Sequence, residues 1–263
     1  LTQMDIPFNK YHGTGNDFII IDNRTGIFNS TGPGAIKILC DRRFGIGADG
    51  LILIGPSVYG DFRMTYYNSD GLEGTMCGNG GRCAAHFAVK SGIAHEKLSF
   101  MATDGFHRAE YINGLIRLSL NDVPDAVIIN SNYFINTGSP HYVVFTEDPD
   151  IIDVYGEGKR LRWSSDFPQG GTNVNFVKAD SEGIYVRTFE RGVEDETLSC
   201  GTGVTASAIA AVLSGHFVSG RPVNVRTRGG DLSVEFKLTD GKITDIWLRG
   251  PATFVFEGNI KLI

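Results

Sequence analysis

The strongest constraint on this chain is that it carries one motif twice. Cys77-Gly-Asn-Gly80 and Cys200-Gly-Thr-Gly203 stand 123 residues apart. Each opens a small-residue, helix-permissive stretch, 81–90 and 204–213, and each stretch closes on Ser-Gly, at Ser91-Gly92 and Ser214-Gly215. The closing Gly lies 15 residues after the Cys in both copies. A Gly just past the last turn is the usual C′ residue of a helix.

The likeness extends on both sides of the motif. Upstream, the strand-like run from Gly60 to Tyr66 lies opposite the run from Gly183 to Phe189, and each leads through an acidic loop to the cysteine. Asp70 and Glu73 fill the first loop; Glu194, Asp195 and Glu196 fill the second. Further back, the run Asp17 to Ile20 lies opposite His141 to Val144, each after a Gly-containing turn. Downstream, 97–104 and 222–228 read as strands, each followed by a turn and a further strand, 109–120 and 232–238. The chain therefore predicts two copies of a strand-rich unit, each with one helix introduced by Cys-Gly-x-Gly. That is an α+β duplication, not an alternating βαβ chain. The predicted domains are 1–122 and 123–250, with Val123-Pro124-Asp125 as the crossover. The last segment, 251–263, has no counterpart at the end of the first half, so it is expected to return and complete the N-terminal sheet.

Composition narrows the class. With 263 residues there is material for two domains of about 130 residues. Thirty-four glycines, nearly twice the usual ~7%, are spread through turns rather than gathered in a linker. A net charge of −6 argues against nucleic acid or an anionic membrane as partner. No apolar run approaches the ~20 residues of a membrane helix. The first residues lack the basic flank and apolar stretch of a secretory signal, and Met4 is an alternative start. Four cysteines without a C-x-x-C pair predict reduced, cytosolic thiols rather than a zinc or disulfide scaffold.

The chemistry follows from where the motif puts its sulfur. A helix N-terminus presents unpaired N–H groups and roughly half a positive charge, which favours a thiolate and can also hold a carboxylate. Glycines after it let a ligand approach the backbone. Two such points suit inversion of a carbon stereocentre, which needs a proton removed from one face and returned to the other. Converging helix dipoles would stabilise charge developing on the carboxylate. Inert core thiols, or a Cys77–Cys200 disulfide switch in a carboxylate-binding protein, are the alternative readings. Cys40, at a predicted helix end, and Cys83, inside the first helix, are expected to be packed. Gly45-Ile-Gly-Ala-Asp-Gly50 satisfies G-x-G-x-x-G, but a strand-like Leu51-Ile-Leu-Ile54 follows, so a dinucleotide site is not expected. His12, His86, His95, His107 and His216 show no metal spacing, and the acidic loops read as solvated faces, Glu190 excepted. No lysine stands out as a Schiff-base residue.

Taken together the motifs resemble the diaminopimelate epimerase family of cofactor-independent racemases. Phe8-Asn-Lys-Tyr-His-Gly-Thr-Gly-Asn-Asp-Phe18, Gly45–Gly50, Asn68-Ser-Asp-Gly71, Cys77–Cys83, Ser139-Pro-His141, Glu190-Arg-Gly192 and Ser199–Gly203 carry the likeness. The resemblance implies two pseudo-symmetric domains, each a barrel-like β-sheet around a central α-helix, with the active site in the cleft between them. It implies Cys77 and Cys200 as the acid/base thiols, and conversion of LL-2,6-diaminopimelate to the meso form for lysine and cell-wall precursors. It further implies a cytoplasmic homodimer using neither metal nor pyridoxal phosphate. Asn16, Asn68 and Asn173 match substrate-binding asparagines. Glu190 and Arg191 match a pair that touches the substrate, Arg191 suiting the distal carboxylate and Glu190 an ammonium group. Gly78, Asn79, Gly201 and Thr202 match the anion cradles, and His141 a histidine near the thiols. Three departures stand out: Ser139 and Gly50 replace larger amide side chains, and the stretch from Glu190 to Cys200 is one residue longer. The proline- and phenazine-directed isomerases of the same scaffold are the nearest competing assignment.

Overall fold

The computed structural model describes residues 5–28 and 32–261. Met4, the alternative start, and the last two residues of the predicted C-terminal strand lie outside them. The chain divides into two compact units, one formed by 1–118 with 251–263 and the other by 119–250.

The first unit runs β1 (Asp5–Gly13), β2 (Asn16–Asp22), α1 (Pro33–Cys40), β3 (Gly50–Gly55), β4 (Phe62–Asn68), α2 (Gly78–Lys90), β5 (Lys97–Ala102), β6 (Gly105–Ile112) and β7 (Leu115–Ser119). The second runs β8 (Ala126–Ile129), β9 (Asn132–Asn136), β10 (Pro140–Phe145), α3 (Val154–Arg162), β11 (Asn173–Ala179), β12 (Ile184–Glu190), β13 (Asp195–Thr197), α4 (Gly201–Leu213), β14 (Val223–Thr227), β15 (Gly230–Thr239) and β16 (Lys242–Gly250). β17 (Thr253–Lys261) then returns to pair antiparallel with β1, as the sequence predicts for the final segment.

The two units have one topology. In the first, neighbours follow the order β17-β1-β2-β3-β4-β5-β6-β7. In the second they follow β8-β9-β10-β11-β12-β14-β15-β16. The parallel pairs fall at matching places: β2–β3 and β4–β5 in one, β10–β11 and β12–β14 in the other. β17 thus fills from the far end of the chain the place that β8 fills locally.

Each ladder curls about one helix. α2 packs against β1, β2, β3, β4 and β6; α4 packs against β9, β10, β11, β12, β14 and β15. A helix enclosed by strands must be apolar or small on every side. α4 meets this with Val204, Ala206, Ala208, Ile209, Ala210 and Ala211, all buried. α2 meets it with small residues: a Cβ on Gly80 would sit 3.2 Å from Ile52 and 3.4 Å from Met64, so the strands close in where a side chain is missing. Both helices end alike. Gly92 (φ +67°) and Gly215 (φ +82°) take the left-handed C′ conformation, with Ile93 N donating to Ala88 O and His216 N to Ala211 O.

α1 ends at Cys40, where the sequence predicts a helix end, and the structure adds one helix that the sequence does not predict, α3. α1 and α3 are second helices, lying in the β2–β3 and β10–β11 crossovers on the outer face of the sheet. Ile19, Ile21, Leu51 and Leu53 pack on Ile36 and Leu39 of α1. Val174, Phe176 and Phe189 pack on Val154 of α3. The run Phe18 to Ile21 is buried on both faces because alternate residues meet α1 and α2. α3 was hidden because Gly156 and Gly158 weaken its helix signal; a Cβ on Gly158 would overlap Phe189, so the glycine is a packing requirement. Gly45-Ile-Gly-Ala-Asp-Gly50 leads into β3, as expected, and caps α1: Ile46 N and Gly47 N donate to Leu39 O, and Ala48 N to Cys40 O.

Candidate active site

Cys77 and Cys200 are the N-cap residues of α2 and α4, each a helix of 13 residues. Their backbones agree, at φ −93°, ψ 127° and φ −113°, ψ 114°. The predicted helical stretches start three residues earlier than expected, at Gly78 and Gly201, so each sulfur stands at the helix tip. Cys77 O accepts from Gly81 N at 2.7 Å and Cys200 O from Val204 N at 2.8 Å, the first hydrogen bonds of each helix. Cys40 and Cys83 are buried as expected, and burial pushes both thiols up to about 12.

In the first unit, Asn16, Cys77 and Asn79 come together. The Cys77 Sγ–H faces Asn16 Oδ1 at 3.6 Å, and Asn79 Nδ2 donates to the same oxygen at 3.3 Å. Asn16 Nδ2 donates to Asp49 Oδ2 at 2.7 Å, which settles the direction of the amide. Asp49 in turn receives Arg42 at 2.8 Å, and Arg42 grips Asp17 with both terminal nitrogens at 2.9 and 2.7 Å. Lys10 pairs with Asp17 at 2.7 Å and donates to Gly47 O. Burial opposes ionisation of Asp17, but the hydrogen bonds from Arg42 and Lys10 outweigh it and hold the carboxyl far below its usual range. The G-x-G-x-x-G segment thus supplies an aspartate that orients Asn16.

Arg82 was missed by sequence reasoning. It is fully buried in α2, and desolvation lowers it to about 10 against the opposing influence of Cys83 and Cys77. Its guanidinium donates to Gly78 O (3.2 Å), Asn79 Oδ1 (3.0 Å), Thr14 Oγ1 (3.3 Å) and Pro251 O (3.3 Å). One side chain therefore holds the cradle residue Asn79 and anchors the start of the returning segment. A buried Arg inside an otherwise small-residue helix was the available signal. Asn68, at the end of β4, accepts from Tyr66 Oη at 3.0 Å. Gly50 is required there: a Cβ would fall 2.5 Å from the Tyr66 ring.

In the second unit, Cys200, Thr202, His141, Ser139, Asn173 and Arg191 come together. Thr202 Oγ1 lies 3.3 Å from Cys200 Sγ, 2.9 Å from His141 Nε2 and 3.2 Å from Ser139 Oγ. Thr137 Oγ1 donates to Thr202 O at 2.9 Å. His141 is fully buried, and burial followed by the charge of Arg191 pushes it down to about 3, so the ring is neutral at working pH. Asn173 Oδ1 accepts from Arg191 N at 2.8 Å, while its Nδ2 donates to Pro140 O at 2.8 Å. Glu190 accepts from Thr197 Oγ1 at 2.9 Å, and Gly201 O from Thr205 Oγ1 at 2.9 Å.

In the acidic loop after Glu190, Asp195 is exposed as expected, but Glu194 and Glu196 are held in ion pairs. Glu194 receives Arg162 of α3 at 2.7 Å, and Glu196 receives Arg187 at 2.7 Å and Arg228 at 2.9 Å. These partners lie in other elements and share no local spacing with the loop. The remaining histidines are packed or exposed, as expected: His86 between Tyr11 and Tyr111, His107 on Phe100, His216 on Phe145, and His95 at the surface. His12 accepts from Gly15 N.

Comparison with known proteins shows the family. The family model for diaminopimelate epimerase matches residues 8–111 and 133–255. The diaminopimelate epimerase of Flavobacterium psychrophilum is 50% identical over 253 residues, covering 95% of this chain and 98% of that protein. That of Chlorobaculum tepidum is 42% identical, covering 95% and 99%. Among solved structures, a Bacillus anthracis phenazine biosynthesis protein of the PhzF family superposes with a TM-score of 0.78 at 15% identity, covering 99% of this chain and all of that one. A probable proline racemase from Agrobacterium radiobacter superposes at 0.72 with 14% identity, covering 98% and 93%. These two share the fold, while the family match spans both helix-capping cysteines: the chain is an isomerase belonging to the diaminopimelate epimerase family.

Proposed function

We propose that the protein converts LL-2,6-diaminopimelate to the meso isomer with Cys77 and Cys200 as its two acid/base groups. The observation that carries this reading is the repeat of one sulfur position: two N-cap cysteines on equal helices in two units of one topology. A thiolate takes the α-proton from one face of the carbon, breaking C–H and forming S–H. The second thiol gives its proton to the opposite face, and nothing is oxidised or reduced. The helix N-termini supply N–H donors and positive potential for the α-carboxylate, where charge develops as the proton leaves. Arg191 and Glu190 provide a cation and an anion for the charged groups of the distal end, with Asn16, Asn68, Asn79 and Asn173 as uncharged donors and acceptors. The reading includes a cytoplasmic setting and a homodimer. Among the described residues, no helix is long and apolar enough to cross a membrane.

The test is to incubate the pure protein with LL-diaminopimelate and follow meso product, in H₂O and in D₂O. Product carrying α-deuterium is expected. Cys77→Ala and Cys200→Ala should each lower kcat by about 10³-fold or more with the fold retained by circular dichroism. Full activity in either variant, or product formed without solvent deuterium, refutes the two-thiol reading.

A further inference from the structure

The hydrogen bonds behind Cys200 run further than the residues matched by sequence. Asn175, on β11, is fully buried beneath His141. Its Nδ2 lies 3.1 Å from His141 Nδ1 and 3.4 Å from Tyr142 O. Its Oδ1 accepts from Thr188 Oγ1 at 2.9 Å. A backbone carbonyl can only accept, so the amide group nearest Tyr142 O is the NH₂. That group then donates to His141 Nδ1, which must be the bare nitrogen of a neutral ring. The single ring proton is on Nε2, facing Ser139 Oγ at 3.0 Å and Thr202 Oγ1 at 2.9 Å. One lone pair of the Thr202 hydroxyl takes that proton and the other faces the Ser139 hydroxyl at 3.2 Å, itself an acceptor from Asn173 Nδ2 at 3.4 Å, so Thr202 has its own hydrogen to direct at Cys200 Sγ, 3.3 Å away. The second Gly of the motif belongs to the same device. A Cβ on Gly203 would overlap Asn175 Oδ1 and fall 3.2 Å from the His141 ring.

We infer that Asn175, held by Thr188, is a positioning residue for the reaction: it locks His141 in the Nε2–H tautomer so that Thr202 donates to the sulfur of Cys200. This rests on the acid/base role proposed for Cys200. Neither Asn175 nor Thr188 touches the sulfur; both act through the ring and the hydroxyl. The lock is built from uncharged groups, and Arg191 is the charge that faces the ring. It favours the thiolate form of Cys200, because a hydroxyl hydrogen strengthens its bond when the sulfur becomes anionic.

Three measurements test it. First, ¹⁵N-histidine NMR of the wild-type protein between about pH 5 and 9 should show His141 with Nδ1 bare and Nε2 protonated throughout. An Nδ1–H ring or an imidazolium in that range overturns the proposal. In Asn175→Asp an oxygen faces Nδ1, and that nitrogen should gain a proton. Second, the rates of iodoacetamide alkylation at Cys200 and Cys77 are read separately by mass spectrometry. Thr188→Val should slow Cys200 about fivefold, the loss of one buried hydrogen bond in the relay, and leave Cys77 unchanged, while Thr188→Ser restores the rate. Equal rates in Thr188→Val and wild type overturn it. For catalysis, Asn175→Asp should lower kcat about tenfold or more with KM within about twofold. If the wild type shows no epimerisation, the functional reading falls while the tautomer result stands. If the wild type is active and Asn175→Asp retains its kcat, the lock falls while the functional reading stands.

Discussion

Cys77 and Cys200 occupy the same backbone position in two units of one topology, yet their side-chain partners differ in kind. Cys77 faces Asn16 Oδ1, an oxygen that can only accept, so this contact suits the S–H form. Cys200 faces the Thr202 hydroxyl, which can donate, so that contact suits the thiolate. The supports differ as well. Asn16 is oriented by the ionised cluster Asp49, Arg42, Asp17 and Lys10, with the buried charge of Arg82 behind the helix start. Thr202 is oriented by uncharged groups, His141, Ser139 and Asn175. A duplicated backbone reproduces the helix tip because main-chain hydrogen bonds set it. The polar groups around it differ because the two copies carry different residues there. The two-thiol reaction proposed above, which needs an acid on one face of the carbon and a base on the other, gains from that difference.

The comparison breaks most readily at the second Gly of the motif. Gly203→Ala drives a methyl into Asn175 and His141, groups fixed by their own hydrogen bonds, and should cost about 1–3 kcal/mol of stability and most of the activity. Gly80→Ala, the matching change in α2, meets Ile52 Cδ1 at 3.2 Å and Met64 Cε at 3.4 Å, flexible ends that yield, and should cost less. Urea denaturation of the two variants decides; equal losses would mean that the two helix starts are equally constrained.

Asp49→Asn sharpens the contrast in the first unit. It removes the carboxylate that receives Asn16 and Arg42, and should reduce kcat/KM about tenfold while the alkylation rate of Cys200 holds. Loss of reactivity at Cys200 in this variant would show that the two supports are not separate.

The contrast also shows in pH dependence. His141 is held at about 3 in the folded protein against 6.5 ordinarily, so below about 6.5 the unfolded chain binds a proton that the folded one refuses. Its contribution is fully present above that pH and lost as pH falls toward 3, with a slope of up to about 1.4 kcal/mol per pH unit. Asp17, with a depressed folded value, adds stability that persists above 3.8 and is lost only at lower pH. Urea midpoints between about pH 7.5 and 4.5 should slope in the wild type and flatten in His141→Gln, whereas Asp17→Asn should keep the slope.

The repeat, the helix-capping cysteines and the returning final strand were legible in the sequence. Each rests on short-range signals: glycine at a C′ position, small residues along an enclosed helix, alternation in the strands. Asn16, Asn173 and His141 could be matched as site residues by motif, but their orienting partners could not. Asp49 lies 33 residues from Asn16, and Asn175 lies 34 from His141. α3 was obscured because a nine-residue helix buried on one side leaves little periodicity, and Gly158 serves packing on Phe189 rather than helix propensity.

What the sequence determined by itself is the placement of two sulfurs at two helix ends, since a helix start is written in adjacent residues. What only the tertiary structure decided is that Cys77 meets Asn16, and which way every amide and imidazole around the two sulfurs is turned. Those choices belong to hydrogen bonds between strands, where the donor and the acceptor are neighbours in space and strangers along the chain.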